Sequence, residues 1–285
     1  MKSFNGNEPA TSPYEGANLS RRSLFKRASV VGASTAIAFS GLSAMASVLD
    51  PLAQGETSNS AAALTTGDTA ILIAAEVAEA LAVTTYSNIV HTSPFFSRIP
   101  RDDQDYLFAA RNEEMSHYLL EAFVTGQPSP FTSFFYPHDM FADPQTTLNT
   151  LVTLEDAFIA AYLVGVRNFS TADLRVTAAR IMGIESDHRT LARVVGGDVS
   201  ATDGGPLVKI SGIQGVTENI DPPNNNGYER TLCWTGIDQA LSALMPFVDE
   251  SSAKAAGFDT KAFAFQPFTP HLATPLGNFI SFKGC

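Results

Sequence analysis

The chain has 285 residues, with 18 Lys and Arg against 29 Asp and Glu and a formal net charge of −11. That balance argues against nucleic acid as a partner, because an acidic surface repels a phosphate backbone; the 45% hydrophobic content is ordinary for a soluble globular protein. Cys233 and Cys285 are too few and too far apart for a cysteine-based zinc or iron–sulfur site. Two expectations remain open for them, one disulfide pinning the C-terminus or two unpaired thiols.

Residues 1–46 read as an export signal. Ser20-Arg21-Arg22-Ser23-Leu24-Phe25-Lys26 precedes an apolar, small-residue run from Ala28 to Leu42, and Ala44-Met45-Ala46 follows. A charged start, a short apolar stretch and an Ala-x-Ala end form a secretory signal. The arginine pair resembles the twin-arginine (Tat) pattern S-R-R-x-F-L-K, with Leu24-Phe25 standing for Phe-Leu. Gly32, Ser34, Thr35, Ser40 and Gly41 keep the run weakly hydrophobic, which favours export over a membrane anchor. No other segment is expected to approach spanning length. Cleavage after Ala46 removes five basic and two acidic residues, leaving 13 and 27 and a formal charge of −14. The expected partner in export is the Tat translocase, and the expected location is the periplasm, the cell envelope or the exterior. Residues 47–67 are rich in Ala, Ser, Thr and Gly and read as a flexible linker.

Four long helices are predicted between Asp68 and Val195. Asp68 caps the first, and Pro94 follows its end. Asp102 or Asp103 caps the second, which ends at Gly126 and Pro128. Pro144 occupies the first turn of the third, after Asp143. Thr171 or Ser170 opens the fourth, and Gly196-Gly197 closes it. The links between the first and second and the third and fourth helices are short, which implies two antiparallel hairpins. The link from Gly126 to Asp143 is the longest and holds Phe131, Phe134, Phe135, Tyr136 and Phe141. An up-down-up-down bundle needs only short loops, so this length implies a crossover packed along the bundle. After Gly197 the chain turns rich in Gly, Pro and Asn, with a turn at Pro222–Gly227. One further amphipathic helix is predicted near Thr235 to Val248, with Ile237, Leu241, Leu244 and Val248 on one face. The Phe- and Pro-rich tail from Phe258 reads as an irregular segment covering an apolar surface. The fold class is therefore all-α: a bundle at 68–197 and a C-terminal extension at 198–285.

The helices carry their chemistry in their inward stripes. Stepping three then four residues, the first reads Leu72, Ala75, Glu79, Ala82, Tyr86, Ile89. The second reads Leu107, Ala110, Glu114, His117, Glu121, Val124. The third reads Leu148, Leu151, Glu155, Phe158, Tyr162, Gly165, and the fourth Leu174, Ala178, Ile181, Glu185, His188, Ala192, Val195. Each stripe is apolar until a glutamate appears at its middle. A carboxylate in a packed core costs several kcal/mol unless it is paired or bound to metal. Four at one level would repel one another, and two divalent cations remove the conflict. Each E-x-x-H places a glutamate and a histidine one turn apart on one face. Glu79 and Glu155 from two helices, with Glu114–His117 and Glu185–His188 from the other two, make up the ligand set of dimetal carboxylate bundles. Such ligands suit iron or manganese. Glu79 and Tyr86, and Glu155 and Tyr162, share a seven-residue spacing, so the first hairpin mirrors the second.

The segments IAAEVAEALAVTTY, RNEEMSHYLLEAF, LVTLEDAFIAAYLVGV and RIMGIESDHRTLARVV resemble the ferritin-like superfamily, which includes ferritins, rubrerythrins and manganese catalases. They are most similar to its exported branch, which also holds plant desiccation-related proteins. The resemblance runs from Thr65 to Gly197. It implies a ferritin-like four-helix bundle with two metal ions at Glu79, Glu114, His117, Glu155, Glu185 and His188, reacting with dioxygen or peroxide. Peroxide removal and ferrous oxidation are the activities it implies, with a homodimer as an assembly. The absence of rubredoxin-type cysteines excludes a rubrerythrin with its own electron carrier. A non-catalytic envelope or stress protein is the alternative function.

Other residues are weighed on the same pattern. Glu76 competes with Glu79, which is preferred for its phase and its spacing to tyrosine. Tyr86 and Tyr162 are read as bonding the ligand carboxylates, as redox-active, or as core tyrosines with satisfied hydroxyls. Glu113 is expected beside the ligands or in solvent, and Asp187 as a support for a histidine or on the surface. Glu121 is read as solvated, and His91, His138 and His271 as surface loop residues.

Overall fold

The computed structural model describes residues 64–195 and 231–271. The arginine pair, the Ala-x-Ala site, Pro222–Gly227 and Cys285 lie outside these residues, and with them any pairing of the exposed Cys233. The four helices are α1 (Thr66–Thr92), α2 (Arg101–Thr125), α3 (Pro144–Asn168) and α4 (Ala172–Val194). The chain continues through α5 (Ile237–Val248) and the short α6 (Glu250–Ala255). All-α with a C-terminal extension is the observed class.

Each helix starts and stops for a local reason. Thr65, not Asp68, is the N-cap of α1, so the helix takes in Thr66 and Gly67 from the expected linker. Asp68 closes a capping box: its backbone N–H donates to Thr65 Oγ1, and its carboxylate accepts from the Thr65 N–H, both at 3.1 Å. The same carboxylate accepts the Ser170 N–H at 2.8 Å and the Ser170 hydroxyl, tying the start of α1 to the α3–α4 link. Asp102 and Asp103 are not caps either. Pro100 precedes α2 without a side-chain bond, and the two acids sit in the first turn, where negative charge suits the helix dipole. Gly126 ends α2 with φ 74°, a left-handed conformation natural to glycine. Asp143 caps α3 by accepting the Thr146 N–H at 2.8 Å, with Pro144 following, and Thr171 caps α4. The helical span of α4 stops at Val194, with Val195 as its C-cap, and Gly196-Gly197 lies beyond the described residues.

The hairpins α1–α2 and α3–α4 pack so that α1 and α3 run antiparallel, Glu79 facing Tyr162 and Tyr86 facing Glu155. At the α3–α4 crossing a Cβ on Gly165 would lie 2.8 Å from the Phe169 ring and 3.3 Å from Ala178 Cβ, so only glycine permits this approach. Every stripe residue of α3 is buried. Helix α1 is buried on all sides from Val77 to Tyr86, not along one stripe alone. Its second face is covered by the crossover and the C-terminal extension. Ser133–Phe134 (β1) pairs antiparallel with Phe263–Ala264 (β2), with Phe134 opposite Phe263. The Phe135 N–H donates to the Phe247 carbonyl at 2.8 Å, and the Asp259 N–H to the Tyr136 carbonyl at 2.9 Å. Phe134, Tyr136, Met140, Leu244, Phe247 and Phe265 join Val77, Leu81 and Met115 in one core. The extension thus forms a layer on the bundle, joined to the crossover by a small sheet where the sequence pattern predicts irregular segments.

Two further expectations are corrected. Among the described residues, α1 and α3 are long and apolar enough to cross a membrane by length and composition, but 83% and 61% of those stretches are buried inside the protein, as core helices are. His91 belongs to the last turn of α1, exposed and edge-on to Phe108, and not to a loop.

Candidate metal centre

The middle of the bundle brings Glu79, Glu114, His117, Glu155, Glu185 and His188 together, all buried. They form two groups of possible ligand atoms: Glu79, Glu114, His117 and Glu185; and Glu114, Glu155, Glu185 and His188. Glu114 and Glu185 belong to both. His117 Nδ1 lies 3.5 Å from Glu79 Oε2, 3.6 Å from Glu114 Oε2 and 3.2 Å from Glu185 Oε1. His188 Nδ1 lies 2.7 Å from Glu114 Oε1 and 3.3 Å from Glu185 Oε2. Each shared carboxylate therefore offers one oxygen to each histidine, as a bridging carboxylate does between two cations.

The orientation of these atoms tests whether a cation fits. His117 Nδ1, both Glu114 oxygens, Glu79 Oε2, Glu155 Oε2 and Glu185 Oε1 are buried without a well-formed hydrogen bond. Donors and acceptors this close normally align on one another. Here they converge on common points while missing each other, which suits lone pairs directed at a metal. Hard carboxylate oxygens with imidazole form a donor set appropriate to iron or manganese. Metal binding also removes an electrostatic conflict. Burial, the Glu114 charge and the Glu185 charge hold the Glu79 carboxyl well above its ordinary range. Burial, Glu114 and Glu185 do the same to Glu155. Burial opposes the charged forms of His117 and His188, but the surrounding glutamates outweigh it and raise both imidazoles well above the usual histidine value. Glu114 is also opposed by burial, yet the two histidines pull it far below the carboxylate range.

Supporting residues hold the outer faces. The Tyr86 hydroxyl on α1 donates to Glu155 Oε1 on α3 at 2.7 Å. Reciprocally, the Tyr162 hydroxyl on α3 bonds Glu79 Oε1 on α1. The seven-residue spacing places each tyrosine against the other helix's glutamate. Of the readings open for the tyrosines, bonding to carboxylates is the arrangement observed. Glu113 Oε2 lies 2.8 Å from His188 Nε2, so a proton on Nε2 leaves Nδ1 facing the carboxylates. Asp187, the other candidate for that support, is exposed. The α4 position matching Glu113 is Ile184, so His117 has no equivalent carboxylate there.

Glu76 and Glu79 separate clearly. Glu79 reaches His117, whereas Glu76 accepts the Thr125 hydroxyl one turn away. Glu121 is buried and not solvated; its Oε1 lies 2.7 Å from the Tyr162 hydroxyl, which also bonds Glu79. Its in-phase stripe position is the signal that could have marked it as a core residue. His138 is exposed between Asp139 and Asp259, and His271 is exposed.

Residues 67–197 match the ferritin-like domain family. No curated protein and no solved structure matches the chain. The helical fold and the buried Glu/His cluster agree with that match.

Proposed function

We propose that the bundle holds two divalent ions, iron or manganese, and carries out redox chemistry with dioxygen or hydrogen peroxide, as ferrous oxidation or peroxide removal. The observation that carries the reading is the pair of ligand groups joined by Glu114 and Glu185, with buried lone pairs that fail to satisfy one another. Glu79 and His117 would complete one site, and Glu155 and His188 the other. When bound, such a pair supplies electrons and Lewis acidity to an oxidant.

The remaining work belongs to the chain. Glu114 and Glu185 fix the separation of the two sites. Tyr86 and Tyr162 hold the outer oxygens of Glu155 and Glu79 and leave the inner oxygens free to ligate. Glu113 selects the tautomer and ring orientation of His188. The apolar shell of Leu107, Ala110, Leu148 and Leu151 excludes water from one end of the centre. The twin-arginine pattern supports export of the protein in a folded state, with its metal acquired before crossing the membrane.

Elemental analysis after anaerobic loading with ferrous or manganous ion tests the centre. The expected content is about two ions per chain, with an absorption change on admitting dioxygen or peroxide. A content below about one ion per chain would sink the reading.

A further inference from the structure

The two ends of the bundle are related by the internal repeat, and they differ. A position on α1 matches one 76 residues later on α3, as Glu79 matches Glu155; a position on α2 matches one 71 later on α4, as Glu114 matches Glu185. Beyond the centre on one side, Tyr86, Ile89, Leu148, Leu151 and Ala192 pack into a filled core. At the other end Ala75 stands where Leu151 would, and Glu121 where Ala192 would. That end contains a cavity bounded by α1, α2, α3, α4 and α5, with Trp234 and Ile237 on its α5 side. Small side chains on facing helices, Ala75, Ala78, Ala161 and Ala178, leave it open.

Its walls are aliphatic and aromatic apart from Glu121, Thr177, the Tyr162 hydroxyl and the Trp234 indole. A lining of this character favours apolar molecules over water. Glu121 breaks the pattern. It is 3% exposed, its Oε1 meets Tyr162, and its Oε2 is buried with no hydrogen-bond partner. At the matching position of the filled end the chain carries alanine, not a carboxyl. Ionised, Glu121 accepts at both oxygens. Protonated toward Tyr162, it leaves Oε2 as a carbonyl acceptor. In both of these states Oε2 is a buried acceptor without a partner, on a residue of the cavity wall.

We propose that this cavity binds a small apolar molecule carrying one hydrogen-bond donor group, a hydroxyl or an amine, with the donor on Glu121 Oε2 and the apolar body among Ala75, Ala161 and Trp234. This binding does not depend on the metal reading: it is tested on metal-free and metal-loaded protein alike, and the loss of one leaves the other standing. Because Tyr162 bonds both Glu121 and Glu79, the bound molecule sits one residue away from the centre.

Trp234 is the single tryptophan of the chain and lines the cavity, so its fluorescence reports occupancy. The full chain is titrated with cyclohexanol and with cyclohexane. The expected result is a saturable change of Trp234 emission with both, cyclohexanol binding more tightly. Glu121→Ala weakens cyclohexanol about tenfold and leaves cyclohexane unchanged, as removal of one hydrogen bond does. Ala75→Leu, which installs the residue of the filled end, abolishes both; Ala161→Leu from the facing helix does the same, so one misfolded variant does not decide the matter. Absence of a saturable change in the wild type overturns the proposal, as does binding that survives both leucine variants with their helical circular dichroism intact. Equal loss of both probes in Glu121→Ala overturns the assigned donor contact.

Discussion

The buried carboxyls of this bundle divide by what each side chain meets. Glu79 and Glu155 meet a tyrosine on one oxygen and turn the other inward. Replacing Tyr86 or Tyr162 with Phe removes that hold without changing the shape of the core. Each variant is expected to lose about tenfold in metal affinity, measured by competition with a chelating dye, while the helical signal is kept. Glu76 faces Thr125 and no histidine, and burial pushes its carboxyl up to about 7 from an ordinary 4.5. The native state therefore holds an extra proton between those values, so stability falls as pH rises through that window and the full penalty is present above it. The size of that penalty is about 3 kcal/mol. Glu76→Gln is expected to flatten the pH dependence of urea unfolding between pH 5 and 8 and to be the more stable protein at the alkaline end. An unchanged slope would show that Glu76 is not the titrating group. Glu76 and Glu79 were separable in the sequence by phase and by the seven-residue spacing of Glu79 to Tyr86. The partner of Glu113 was not, because His188 lies on a different helix, 75 residues away.

Among the elements, α1 behaves unlike a surface helix of a simple bundle. It is covered by α2 and α3 on one side and by the crossover with α5 and β2 on the other. This explains why its composition passes for a membrane span while its burial is that of a core helix. The crossover Gly126–Asp143 is a structural layer, with Phe134, Phe135 and Tyr136 buried and hydrogen-bonded to the extension. Phe134 is 0% exposed. Phe134→Ala is expected to destabilise the protein by about 4 kcal/mol in denaturant unfolding, in the range of a fully buried phenylalanine lost to a cavity. A loss below about 1 kcal/mol would mean that the crossover merely lies on the surface. The aromatic residues of the link announced that it was packed. Their partners, Phe247, Phe263 and Phe265, lie more than a hundred residues further on, and no local pattern couples them.

At the level of the whole molecule, the centre gathers protons and unlike charges in a small volume. Burial and neighbouring charge hold the Glu79 and Glu155 carboxyls on their protonated side, and the surrounding glutamates hold the His117 and His188 imidazoles on theirs against burial. A divalent ion displaces those protons. Loading is therefore expected to release on the order of one proton or more per ion, and affinity is expected to rise with pH. Calorimetric titration with manganous ion in two buffers of different ionisation enthalpy measures the number directly. Ion uptake without proton release would contradict the charge arrangement described here. The heptad-like stripes, the two E-x-x-H pairs and the seven-residue glutamate–tyrosine spacing were sufficient to place six residues at one level of one bundle, because helical periodicity is a property of the chain itself. What only the tertiary structure decided is which oxygen faces which nitrogen, that Glu121 is buried at the wall of a cavity, and that the C-terminal extension covers α1. These depend on distances between segments far apart in sequence, set by packing that no single helix encodes.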